Sequence, residues 1–126
     1  MTTKGLQELI AEASAAVESI DSAQAADLLG KETVVFVDVR ESDERRQSYI
    51  PGSIHVPRGF LEFIVDPSAP AHNTALSSGK TLVVYCASGM RSLLSAKTLQ
   101  DMGIEKVYNL SGGMHSWSKG GGALSY

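Results

Sequence analysis

Two stretches of the chain are apolar at nearly every position: "TVVFVDV" over residues 33–39 and "TLVVYC" over residues 81–86. An amphipathic helix or a half-buried strand interrupts its apolar residues at its own period, so short continuous β-branched runs predict strands buried on both faces. Such strands need cover above and below. The remaining pattern supplies it, because the segments between the strands read as helices and the whole predicts an α/β sandwich around a mostly parallel sheet.

The helical segments are marked by their ends. Asp21 with Gln24 forms a helix-opening box, and "SAQAADLLG" runs to a Gly at position 30 suited to a C-terminal stop. In "ESDERRQSYIPG" the acidic Ser42-Asp43-Glu44 start is followed by Arg45 and Arg46, and Pro51-Gly52 is expected to end the helix. "RSLLSAKTLQDMG" reads as a helix from about Ser92, with Leu93, Ala96 and Leu99 inward and Gly103 at its stop. "SIHVP" and "KVYNL" are further short strands, and "SGGMHSWSKGGG" a tight turn, a short helix and the start of a flexible tail. Residues 58–80 open with an apolar-rich stretch and then read as a long surface loop. At the N-terminus Leu6, Leu9, Ile10, Ala13, Val17 and Ile20 fall at helical spacing. That stripe covers either this domain or a contact with a partner or a second copy.

At 126 residues and net charge -3, with 43% hydrophobic and 20% charged residues, the chain reads as one soluble domain. No basic stripe suits nucleic acid, so none is expected as a partner. A single cysteine excludes an internal disulfide and a Cys-rich zinc site, and His55, His72 and His115 lack metal-ligand spacing, so neither metal nor cofactor is expected. Glu8, Glu12 and Glu18 interrupt the N-terminal segment, which therefore reads as neither a secretory signal nor a membrane span. The expected location is cytoplasmic.

In parallel sheets ligands collect at the carboxyl ends of strands, where both Cys86 and Asp38 fall. After Cys86 the chain turns through Ala87, Ser88, Gly89 and Met90 before Arg91 and Ser92. Small residues let this loop curl, so that its amides and the following helix start form an anion cradle. A thiol there has its thiolate favoured by amides, dipole and Arg91, which makes a nucleophile at neutral pH.

With these residues in place the chain resembles a single-domain rhodanese, the sulfurtransferase family. "VDVRESDE" (37–44) resembles its Asp-x-Arg motif, "IPGSIHVPRG" (50–59) its Ile-Pro-Gly segment, "YCASGMRS" (85–92) its active-site loop, and "LSGGMHSW" (110–117) its closing Gly-Gly segment. The resemblance spans residues 19–121, leaving 1–18 as an N-terminal helical extension and 122–126 as a tail. It implies a three-layer sandwich of about five strands, the weakest an edge piece near Ser19-Ile20. It also implies that Cys86 takes a sulfur from thiosulfate or a similar small anionic donor as a persulfide. The acceptor is then cyanide, a small thiol or a protein thiol. The amides of residues 87–91 would hold the sulfur, Arg91 would draw the donor, and the Ser92 hydroxyl would bond the sulfur or hold the helix start.

Two other readings stand beside it. One is a sulfur-carrier or docking module with little turnover of its own. The other is phosphatase or arsenate chemistry of the related fold, which uses one more residue between Cys and Arg and an acid for the leaving group. Four residues separate Cys86 from Arg91 here, and the loop contains no carboxylate. Around the loop, Asp38 is expected to accept from it or pair with an arginine, Arg40 to pair with Glu44, and Arg58 to face either the site or solvent. Trp117 reads as core. Where the family often has Gly-His before Ile-Pro-Gly, this chain has Ser48-Tyr49.

Overall fold

The computed structural model describes residues 3–126. In chain order it contains α1 (Leu6–Ala16), β1 (Glu18–Ile20), α2 (Ser22–Leu28), β2 (Val34–Asp38), α3 (Ser42–Gln47), β3 (Ile54–His55), α4 (Leu61–Val65), β4 (Thr81–Tyr85), α5 (Met90–Asp101), β5 (Val107–Leu110) and α6 (Gly113–Lys119). The strands form one sheet in the order β1-β5-β4-β2-β3, with every neighbouring pair parallel.

The two apolar runs lie side by side, with β4 at the centre and Val34 to Asp38 in register with Thr81 to Tyr85. Side chains alternate across a strand, so each run feeds two cores. Leu82, Val84 and Cys86 join Ala13 of α1 and Leu93, Ala96 and Leu99 of α5 on one face. Val83 and Tyr85 join Ala25 of α2 and Met114 and Trp117 of α6 on the other. This is the expected α/β sandwich with helices on both faces.

The differences from the sequence reading are local. The N-terminal helix ends at Ala16, and Ile20 belongs to the edge strand β1 instead. Ala13 and Val17 are buried against the sheet, while Leu6 and Leu9 stay exposed. The stripe thus covers its own domain through its second half. Helix α3 stops at Gln47, ahead of Pro51, because Tyr49 leaves to pair with Ser125 in an antiparallel bridge. Residues 58–80 carry more structure than a surface loop. They form a 3-10 turn at Arg58–Phe60, then α4, then a second turn at Thr74–Ser77, and they bury Leu61, Val65 and Leu76. The last residues, expected as a flexible tail, are tied back by the Tyr49–Ser125 bridge and by Trp117 Nε1 donating to the Ala123 carbonyl at 2.8 Å. Trp117 itself lies in the core. Among the described residues no helix is long and apolar enough to cross a membrane.

Candidate active site

Cys86 leaves the carboxyl end of the central strand directly beneath the start of α5. The helix begins at Met90, two residues earlier than its sequence pattern predicts, because Gly89 caps it with φ of 104°. That left-handed geometry costs an L-residue roughly 1–2 kcal/mol but is open to glycine. The turn brings the Gly89 amide within 3.1 Å of Cys86 Sγ, the Ser92 amide within 3.4 Å and the Ser92 hydroxyl within 3.3 Å. The sulfur is therefore the floor of the curl rather than its rim, and Cys86 is buried.

From the other side α6 clamps the loop. Its Met114 amide donates to the Cys86 carbonyl at 2.8 Å and its His115 amide to the Ala87 carbonyl at 3.0 Å. This approach needs Gly113, whose φ is 54° and where a Cβ would come within 2.4 Å of the Cys86 oxygen. The closing Gly-Gly segment of the sequence is thus part of the site.

Burial pushes the Cys86 thiol up, but the bonds that the ionised sulfur would accept from the Ser92 hydroxyl and from the amides of Ser92, Gly89 and Ser88 outweigh it, so the thiol lies below its ordinary value. Every one of those donors is electrically neutral. The amides bonded to the thiol are those of Gly89 and Ser92, and Ala87 contributes its carbonyl to α6. Met90 turns outward and is exposed.

Arg91 is held elsewhere. Its Nη1 and Nη2 each donate at 2.8 Å to one carboxylate oxygen of Glu44 on α3. The guanidinium beside it holds the Glu44 carboxyl down to about 2, and the carboxylate keeps Arg91 firmly protonated. Glu44 is the partner expected for Arg40, and it is already occupied.

Arg40 pairs instead with Asp38, through Nε at 3.0 Å and Nη2 at 2.9 Å. Asp38 is buried, which pushes its carboxyl up, but the bonds from Arg40 and Arg45 win and hold it below the usual carboxylate range. Its second oxygen also accepts from Arg45 Nη1 at 3.1 Å and from the Tyr85 hydroxyl at 3.2 Å. Tyr85 OH in turn accepts the Ile50 amide and meets Ser53 Oγ at 2.9 Å. This cluster braces the ends of β2 and β4, without a bond from Asp38 to the Cys86 loop. Arg58 also stays outside the loop, bonded to Glu62 and, at 3.4 Å, to Thr98 Oγ1.

Sequence reasoning missed Glu44 as a partner of Arg91, and it missed Asn109. The latter is buried in β5 and receives the Ser92 hydroxyl on Oδ1 at 2.6 Å. Its only signal was a polar residue inside the apolar run "VYNL".

Residues 21–120 match the Rhodanese-like domain family. A sulfurtransferase of Allochromatium vinosum is 30% identical over 106 residues, covering 83% of this chain and 92% of that protein. A putative sulfur carrier protein of Bacillus subtilis is 32% identical over 87 residues, 69% of this chain but only 43% of its own length. Among solved structures, a Rhodopseudomonas palustris protein described as of unknown function and a possible tyrosine phosphatase superposes with a TM-score of 0.94. It is 39% identical, and the match covers 99% of this chain and 97% of that one.

Proposed function

The chain belongs to the rhodanese-like domain family, and from that membership we propose that it is a sulfurtransferase working through a persulfide on Cys86. Thiosulfate or a similar anionic sulfane donor is the first substrate. The Cys86 thiolate attacks the outer sulfur, a new S–S bond forms, and the S–S bond of thiosulfate breaks with its electron pair leaving on sulfite. The enzyme then carries Cys86–S–S⁻. A nucleophilic acceptor such as cyanide or a thiolate takes the outer sulfur, and the bonding pair returns to Cys86 as thiolate. The chain has no second cysteine, so discharge is to a small molecule or to another protein's thiol.

One observation carries the choice of sulfur over phosphorus: Arg91 is bound at both ends of its fork by Glu44. A phosphoryl group spreads its charge over several oxygens and is best met by a free bidentate arginine. The donors that converge here are the Gly89 and Ser92 amides on a single atom, with the Ser92 hydroxyl beside them, which suits one anionic sulfur. The description of the Rhodopseudomonas palustris neighbour keeps phosphoryl chemistry as the second reading.

The test is mass spectrometry after incubation with thiosulfate, paired with an assay of phosphate-ester hydrolysis. The expected result is a gain of one sulfur atom at Cys86, reversed by cyanide and absent in Cys86→Ser. Ester hydrolysis without a sulfur gain overturns the reading. A persulfide that forms but passes only to protein thiols, with negligible cyanide turnover, selects the carrier role instead.

A further inference from the structure

Ser92 Oγ stands 2.6 Å from Asn109 Oδ1 and 3.3 Å from Cys86 Sγ. On its far side Asn109 Nδ2 donates to Ser19 Oγ at 3.2 Å. Asn109 lies in register between Ser19 of β1 and Val84 of β4, so the chain of polar groups crosses the sheet from an exposed edge to the thiol.

A serine hydroxyl carries one proton. Two oxygens at 2.6 Å require it between them, so in this arrangement Ser92 offers the sulfur only lone pairs. A thiol accommodates that, because its S–H can turn to donate to Ser92 Oγ at 3.3 Å. A thiolate does not, because it only accepts. If the Ser92 proton turned to the thiolate, Ser92 Oγ and Asn109 Oδ1 would face each other at 2.6 Å with nothing between. Ser92 and Asn109 are 0% and 4% exposed, so water is poorly placed to relieve the conflict. Turning the Asn109 amide over relieves it, since both orientations occupy the same positions.

We propose that Asn109 is a positioning residue whose amide reverses with the charge on Cys86, inverting a hydrogen-bond chain from Ser19 to the sulfur. With the thiol, S–H donates to Ser92, Ser92 to Asn109 Oδ1, and Asn109 Nδ2 to Ser19. With the thiolate, Ser19 donates to Asn109 Oδ1, Asn109 Nδ2 to Ser92, and Ser92 to the sulfur. The thiol proton leaves to solvent; the chain keeps its own protons and only their direction changes. Ser19 is exposed, which leaves its hydroxyl free to turn. The inference rests on ionisation of Cys86 and holds whether or not the persulfide forms.

The charged and titratable groups on the elements packed at the loop include Arg91 on α5, Glu44 on α3 and His115 on α6, with the Asp38, Arg40, Arg45 and Tyr85 cluster at the ends of β2 and β4. Any of them that titrated would do so equally without the thiol, which sets the control. Side-chain amide resonances of Asn109 are followed by NMR against pH, beside the thiolate absorbance of Cys86, with no sulfur donor present. The expected result is a shift of both Nδ2–H resonances with the thiol's own midpoint, flat in Cys86→Ser. Resonances that stay still while the thiol ionises, or that move equally in Cys86→Ser, overturn the proposal. In Asn109→Asp the residue only accepts and holds the Ser92 proton, so the thiol midpoint rises by about one pH unit, a tenfold loss of thiolate below the midpoint. Adding Ser92→Ala removes most of that rise; an equal rise in both backgrounds means residue 109 acts by charge alone and overturns it.

Discussion

Gly113→Ala separates a glycine needed for its backbone angle from one needed for what it touches. Gly30 and Gly113 both have positive φ, 87° and 54°. A Cβ at Gly30 meets nothing within 4 Å, whereas at Gly113 it falls 2.4 Å from the Cys86 oxygen and 2.7 Å from the Ala87 carbonyl carbon. Gly30→Ala thus carries backbone strain alone, roughly 1–2 kcal/mol. Gly113→Ala carries similar strain and in addition drives α6 from the loop, weakening the Met114 and His115 amide bonds to Cys86 and Ala87. At about 1 kcal/mol for each bond, its total is about 3–4 kcal/mol. Urea unfolding of the two variants measures the difference. The same proteins are then alkylated across pH, because a displaced loop withdraws amides from the sulfur. The thiol midpoint in Gly113→Ala is expected to rise toward the ordinary value for free cysteine near pH ~8.5, and that in Gly30→Ala to stay where it is in the parent. Equal destabilisation of the two variants, or a Gly113→Ala thiol that titrates like the parent, refutes the clamp.

Two further outcomes follow from the ion pairs. Glu44→Gln frees Arg91 and removes a carboxylate from the site's rim, so the KM for a dianionic donor falls about twofold, on the order of 0.4 kcal/mol for a dianion about a Debye length away in water-like surroundings, screening included. A raised KM means instead that Glu44 holds Arg91 where the donor binds. The same change lowers stability at neutral pH by about 1 kcal/mol, a figure discounted because both partners are partly exposed. Glu44 is depressed from 4.5 to about 2, so its contribution is complete above the unfolded value and disappears as pH falls through that window. The two unfolding curves should therefore converge near pH 2. Tyr85→Phe strips the partner from the buried Ile50 amide and one bond from Asp38, with an expected loss of about 1–3 kcal/mol in urea unfolding. A loss under about 0.5 kcal/mol shows that the braced cluster relaxes around the missing hydroxyl.

The parts of this molecule legible in the sequence are those set by local period. Two strands buried on both faces announce themselves because each residue of Leu82 to Tyr85 meets one core or the other. The same strand places Cys86 at a carboxyl end, and Gly89 marks the turn over it. What stayed hidden depends on which distant groups meet. Arg91 and Glu44 are 47 positions apart, and although Asp38 reads as a partner for an arginine, nothing at either position says that the arginine will be Arg40. Geometry explains that exchange. Asp38 and Arg40 sit two apart at a strand end, where one buried carboxylate can receive both the amide and the fork of Arg40. Helix α3 then turns Glu44 toward α5. Likewise α3 ends early because Tyr49 finds Ser125, a partner at the far end of the sequence.

These pairings divide the site's electrostatics between two depths. At the sulfur the donors are neutral, buried and fixed by backbone on both α5 and α6. Their effect on the thiol does not depend on a mobile counterion, and salt screens buried groups far less than exposed ones. At the rim Arg91 and Glu44 are closed into an ion pair. A free arginine over the sulfur would stabilise the thiolate too, but it would also bind any phosphate or sulfate that reached the loop. Neutral amides favour one negative charge on one atom. The arrangement therefore lowers the thiol through neutral donors set by the backbone, as a nucleophile that accepts a single sulfur and then releases it would require.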